Sequence, residues 1–217
     1  MRQIRKPKTG MVGKRFKLIA VLLAAGASSR MGRPKMLLPW GNKTILSHSI
    51  QAWSRLADDT SVIYSSADHP IQAELDRLHV LPRSRIPNPD SSRGMFSSIQ
   101  TAARWTGWPE NVTHWAIILG DQPHVSVATL RRLVQFAQEF PEFVCQPGRE
   151  GKERHPVVIP REFFLALRNC EEATLKDFLN ARAASRRFLE IDDPALELDL
   201  DRPEDYERAL RLFPPEA

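Results

Sequence analysis

Residues 23–35 read LAAGASSRMGRPK, with two glycines, two serines, two arginines and one lysine directly after an apolar run. Gly26, Ala27, Ser28 and Ser29 let the backbone turn tightly and leave its N–H groups available. Arg30 and Lys35 add fixed positive charge, while Pro34 stiffens the loop and removes a donor. Amides gathered in a concave loop beside Arg and Lys make an anion site, and in proteins the usual anion is a polyphosphate. The Walker loop is excluded, since Gly32 is followed by Arg33 and Lys35 by Met36. The dinucleotide fingerprint is excluded too, since no third glycine accompanies Gly26 and Gly32. A polar strand-to-helix connector that binds nothing would have the same composition.

Two acidic groups complement that loop. Asp121 lies in IILGDQPH, at the carboxyl end of an apolar run, and Asp199 and Asp201 lie in ELDLDRPEDY, between an extended run and a helix. If all three loops leave one edge of a parallel sheet, the carboxylates face the cations across a common cleft. Cations for a polyphosphate plus hard oxygen donors are what a Mg²⁺–nucleoside triphosphate site needs. Taken singly, Asp121 also reads as a turn residue, and Asp199 and Asp201 as helix caps.

The elements that must position these residues follow from periodicity and punctuation. Residues 17–25, 60–66, 114–121, 142–147, 155–160, 186–192 and 195–200 read as strands or extended runs. Residues 44–56, 69–78, 93–105, 126–140, 161–169, 173–183 and 203–213 read as helices, with Ser126 as a cap and Pro70 and Pro203 in first turns. Such alternation predicts an α/β fold, Rossmann-like and doubly wound, with a largely parallel sheet and its crevice at the carboxyl ends of the strands.

The chain has 217 residues, enough for one domain, which we place at 17–217. The net charge of +5 would suggest nucleic acid were it spread over the chain. It is not: residues 1–17 hold seven Lys or Arg and no acid, and subtracting those from the 31 leaves 24 basic against 26 acidic side chains. We therefore read 1–16 as a basic extension expected to be disordered, with a nucleic-acid arm as the other reading. The body is expected to bind neither nucleic acid nor membrane, since no apolar run approaches the roughly eighteen residues of a span. Cys145 and Cys170 lack metal-ligand spacing and suit free thiols in a reducing cytoplasm.

The segments LAAGASSRMGRPKMLLPW, NPDSSRGMFSSIQ, GDQPHVSVATLRRL, HPVVIP and DLDRPEDY stand in an order and spacing that resembles the molybdopterin nucleotidyltransferases, especially the molybdenum cofactor cytidylyltransferase branch. The resemblance runs from about Leu18 to Leu212 and implies a nucleotidyltransferase fold. By that resemblance Leu23, Ala24, Ala25 and Gly26 hold the nucleotide through the backbone, and Arg30 and Lys35 act on the triphosphate. Asp121 is implied as the principal Mg²⁺ ligand and a catalytic group, with Asp199 and Asp201 as a second polar pair near the metal. Asn88, Gly94, Met95 and Ser98 are implied to line the base and ribose, and His155 the acceptor side. LAAGAS lacks the double glycine of the guanylyl branch, which favours CTP. The implied acceptor is molybdopterin, with a molybdoenzyme or its maturation chaperone as a downstream partner. Two departures concern the acceptor: Arg154 stands where the family usually has glycine, and CEEATLKDFLNARA replaces a Gly-Asp-rich stretch. Transfer to a sugar phosphate or another alcohol phosphate is one alternative, and a non-catalytic module that delivers cofactor is another.

Overall fold

The computed structural model describes residues 15–215. Along the chain run β1 (Leu18–Leu23), β2 (Pro39–Trp40), β3 (Lys43–Thr44), α1 (Ile45–Ser54), β4 (Asp59–Ser65), α2 (His69–Arg77), β5 (Arg85–Asn88) and α3 (Met95–Arg104). There follow β6 (His114–Leu119), α4 (Val127–Glu139), β7 (Val144–Arg149), β8 (Lys152–Glu153), β9 (Val157–Pro160), α5 (Arg161–Ala166), α6 (Leu175–Asn180), β10 (Arg186–Glu190) and α7 (Pro203–Leu212). The main sheet has the order β10-β7-β9-β6-β1-β4-β5, with β8 hairpinned onto β7, and β2 and β3 form a separate small pair.

β1 sits at the centre, parallel to β4 and β6, and β4 is parallel to β5. β9 runs antiparallel to both β6 and β7, and β10 is parallel to β7. Six strands therefore deliver their carboxyl ends to one edge, and the segment entering β9 starts from that same edge. The sheet is α/β, doubly wound and largely parallel, as the alternation predicts.

Side chains of β1 alternate between two cores, because successive residues of a strand point to opposite faces. Leu18, Ala20 and Leu22 join Ile45, Leu46, Leu75, Leu130 and Leu133 from α1, α2 and α4 on one face. Ile19 and Val21 join Ile99, Phe164 and Phe178 from α3, α5 and α6 on the other. Continuous apolar runs such as LIAVLL are what a strand covered on both faces requires. Helix starts follow their local chemistry: the Thr44, Asp68, Ser126 and Thr174 side chains each accept from a backbone N–H at the start of α1, α2, α4 and α6.

Two expectations need correction. β5 is a strand that periodicity does not show, because only Ile86 and Asn88 of its four residues are buried and Pro87 lies within it. It is an edge strand, where a missing N–H is tolerated. Residues 195–200, expected to be extended, instead begin in a 3-10 turn over Pro194–Glu197. Asp193 caps that turn by accepting from the Ala195 N–H at 3.0 Å, and Pro194 sets its first backbone angle. The basic extension lies outside the described residues except for Arg15 and Phe16. The Phe16 ring stacks on His114 at 4.1 Å between centroids. Among the described residues no helix is long and apolar enough to cross a membrane.

His114 is buried at the start of β6, with Nδ1 2.8 Å from Thr113 Oγ1 and Nε2 2.8 Å from the Pro141 carbonyl. Burial pushes its imidazole below the ordinary value of 6.5, against a smaller opposing effect of the bond to Pro141, and burial does the same to His124 and His155. Between the depressed value and 6.5 the unfolded chain binds protons that the folded chain does not. Stability is therefore complete above about pH 6.5 and declines as the pH falls toward the depressed values. The urea midpoint should drop between about pH 7.5 and pH 5.5, and His114→Gln should flatten that slope. A midpoint that rises on acidification would refute the assignment of neutral buried histidines.

Candidate active site

The loop after β1 keeps the shape that its composition implies. Ser28 takes a left-handed backbone angle, φ 51°, and so does Gly32 at φ 69°. The Ser28 carbonyl accepts from Met31 N–H at 3.0 Å, and the Ser28 hydroxyl accepts from Lys35 N–H at 3.1 Å. Ser28 thus folds the chain back so that Lys35 re-enters beneath the loop.

Residues 23–27, Lys35, Ser91, Ser92, Gly94, Met95, Ser98, Gly120 and Asp121 line one cleft of about 370 Å³. That lies within the range of small-molecule sites. Of the residues singled out from the sequence, Leu23, Ala24, Ala25, Gly26, Lys35, Gly94, Met95, Ser98 and Asp121 meet here. Gly26 has no positive φ, and a Cβ added to it would meet nothing within 4 Å. Neither packing nor backbone conformation calls for glycine at that position, and the open space beside it would let a ligand approach the backbone closely.

Lys35 Nζ donates to Asp121 Oδ2 at 2.5 Å on the cleft floor, and both side chains are largely buried. It also reaches Asp201 Oδ1 at 3.4 Å, while Arg30, more exposed, donates to Asp201 Oδ2 at 2.7 Å. Burial alone would lower the Lys35 ammonium, but Asp121 and Asp201 outweigh it and raise it above its ordinary value. Asp199 is raised, first by burial and then by the charges of Asp121 and Asp201, with Gln122 and Lys35 opposing.

The aspartates arrive by different routes. Asp121 follows the end of β6 after Gly120. Asp199 and Asp201 leave the 3-10 turn rather than a strand, and the Leu200 N–H fastens their loop to the Asp121 carbonyl at 3.3 Å. Gln122, which the sequence reading quoted but gave no role, donates to Asp199 Oδ1 at 2.9 Å. Its position directly after Asp121 in a strand-end loop is the signal that could have found it.

Asn88 stands behind the cleft wall rather than in it. It is fully buried, and its amide donates to Ser97 Oγ and Ser98 Oγ, each at 3.0 Å. Its carbonyl oxygen accepts from Asp90 N–H at 2.9 Å, so it holds the 90–98 segment in place. His155 lies in a neighbouring groove of about 540 Å³, together with Lys152, Arg154 and Lys176. Met95 borders both spaces. Burial lowers the His155 imidazole, whose Nδ1 has no partner.

Whether these residues suit a divalent metal can be judged from their oxygens. Asp121 Oδ1 is buried without a hydrogen-bond partner and Asp199 lies close by, while both oxygens of Asp201 face cations. Among the described residues no three His, Cys, Asp or Glu side chains form a metal cage by themselves. One or two carboxylates, with the remaining positions left to phosphate oxygens and water, is an arrangement that suits Mg²⁺. The residues therefore fit a metal shared with a polyphosphate, held by Asp121 and Asp199.

Gly26→Ala should leave the melting temperature unchanged and weaken nucleoside triphosphate binding by at least about tenfold, close to 1.4 kcal/mol. Calorimetric titration beside thermal unfolding checks both; undiminished binding would mean that no ligand approaches this glycine.

Comparison with known proteins bears on the whole chain. The MobA-like NTP transferase domain matches residues 20–187. The molybdenum cofactor cytidylyltransferase of Escherichia coli (strain K12) is 26% identical over 191 residues, covering 86% of this chain and 92% of that one. The purine catabolism protein PucB of Bacillus subtilis (strain 168) is 26% identical over 203 residues, covering 90% and 97%. The structure of Rv0371c from Mycobacterium tuberculosis H37Rv in complex with manganese is similar with a TM-score of 0.62 at 26% identity, over 90% of this chain and 98% of that one. The matched span carries both the cationic loop and Asp121, and the chain belongs to the MobA-like NTP transferase family, as a nucleotidyltransferase of that type.

Proposed function

We propose that this nucleotidyltransferase transfers CMP from CTP to the phosphate of molybdopterin and releases pyrophosphate. The observation that carries the reading is the meeting of Lys35 and Asp121 on the floor of the cleft formed by the 23–27 loop. The cytidylyltransferase relative and the LAAGAS form of the loop favour CTP. Lys152 and Lys176 around the adjoining groove suit an anionic acceptor.

An oxygen of the acceptor phosphate attacks the α-phosphorus, and the bond from that phosphorus to the pyrophosphate oxygen breaks. The attacking oxygen is already anionic at neutral pH, so no side chain has to remove a proton. Catalysis is then positioning and charge neutralisation. The amides of the 23–27 loop hold the nucleotide. Lys35 leaves Asp121 for the phosphates and, with Arg30, balances the charge that grows on departing pyrophosphate. A bound Mg²⁺ supplies charge neutralisation at the phosphate oxygens. Asp121 and Asp199 would hold it, with Gln122 anchoring the Asp199 carboxylate through its Oδ1. His155, neutral at pH 7, orients the acceptor. The setting is cytoplasmic, and a molybdoenzyme or its maturation chaperone receives the product.

CTP with Mg²⁺ should raise the melting temperature more than GTP does, and pyrophosphate release should require molybdopterin; a GTP preference would overturn the nucleotide assignment. Asp121→Asn should cut pyrophosphate release at least about a hundredfold, the usual scale for a group that stabilises transition-state charge. Its circular dichroism should match that of the parent. Near-normal turnover in the folded variant would remove Asp121 from the mechanism.

A further inference from the structure

The loop that brings Asp199 and Asp201 beside Asp121 and Lys35 has little regular structure of its own. Its start is fastened by Ile191 N–H to the Gly148 carbonyl at 2.9 Å and by the Asp193 cap. Its far end carries Leu200, whose N–H reaches Asp121. Between them stands Glu197, two residues before Asp199. Glu197 Oε2 forms an ion pair with Arg149 at 2.6 Å, and Glu197 Oε1 accepts from Arg154 at 2.7 Å. The two arginines come from opposite limbs of the β7–β8 hairpin: Arg149 ends β7 and pairs with Lys152, and Arg154 directly follows β8. Their side chains are only 16% and 20% exposed. Arg154 is anchored in turn, its N–H donating to the Pro147 carbonyl at 2.9 Å.

We propose that Arg149, Arg154 and Glu197 form a positioning clamp that fixes the Asp199 carboxylate opposite Asp121. One carboxylate gripped on both oxygens by two arginines from a paired hairpin has a defined orientation, unlike a single exposed ion pair. The clamp also keeps the Glu197 charge away from three aspartates that already crowd one another. Arg154, the residue that departs from the family pattern, thereby acts on the metal side of the cleft through Glu197 and touches neither metal nor nucleotide. The proposal rests on the reading of Asp121 and Asp199 as metal ligands, but its mechanical part can be measured without any ligand.

Amide exchange in the full chain is the first measurement. In Arg154→Ala and in Glu197→Gln the Leu200 amide should exchange at least about fivefold faster, as local opening allows, while amides of β1 and β6 stay unchanged. Arg154→Lys should restore part of the protection, and the double variant should lose less than the two single losses combined. Unchanged Leu200 exchange in both single variants would overturn the clamp. The second measurement titrates Mn²⁺ with α,β-methylene CTP present. Mn²⁺ affinity should fall at least about fivefold in Arg154→Ala, the low end of coupling between linked groups, with affinity for the metal-free analogue unaltered. Equal Mn²⁺ affinity in parent and variant would overturn the positioning role. A parent chain that takes up no Mn²⁺ would instead refute the metal reading, and Leu200 exchange would still decide the clamp.

Discussion

The close parallel pairing of β1 with β6 is the constraint on which the site depends. Their register places Leu23 opposite Leu119, and the Gly120 N–H continues the ladder to the Leu23 carbonyl at 3.2 Å. A Cβ on Gly120 would lie 2.7 Å from that carbonyl and 2.6 Å from the Met36 side chain. Only glycine lets the two strand ends leave the sheet in contact. The cationic loop and Asp121 therefore emerge side by side, and Met36 packs between them from the segment that carries Lys35.

That proximity sets the electrostatics. Asp121, Asp199 and Asp201 converge where Lys35 and Arg30 are the compensating cations. Removing one partner of a largely buried pair leaves the other uncompensated, so Lys35 and Asp121 must be considered together. In the proposed reaction an anionic ligand releases Lys35, and Asp121 then needs another cation. That cation comes with the nucleotide.

The two spaces at the carboxyl edge are built differently. The cleft of the 23–27 loop is walled largely by backbone and small residues, which permits close approach but reads little side-chain chemistry. The groove beside it is walled by long charged side chains from the β7–β8 hairpin and by α6. Met95, exposed at the start of α3, is the boundary between them. In the proposed reaction that groove receives the acceptor.

The tight polar loop after β1, the strand-end place of Asp121 and the doubly wound sheet were legible in the sequence because each is written in neighbouring residues. A glycine-rich turn after an apolar run, or a carboxylate at a strand end, depends on contacts within a few positions. β5 was not legible, because an edge strand buries too little to leave a periodic pattern. Residues 195–200 misled because alternating leucines mimic a strand, whereas the Asp193 cap and Pro194 select a turn. Only the tertiary structure decided that Asn88 supports the cleft wall from behind, that Lys35 meets Asp121 across 86 residues, and that Arg154 grips Glu197 across 43. Such pairs follow from strand order and register, which are settled by packing two cores at once and leave no local trace in the chain.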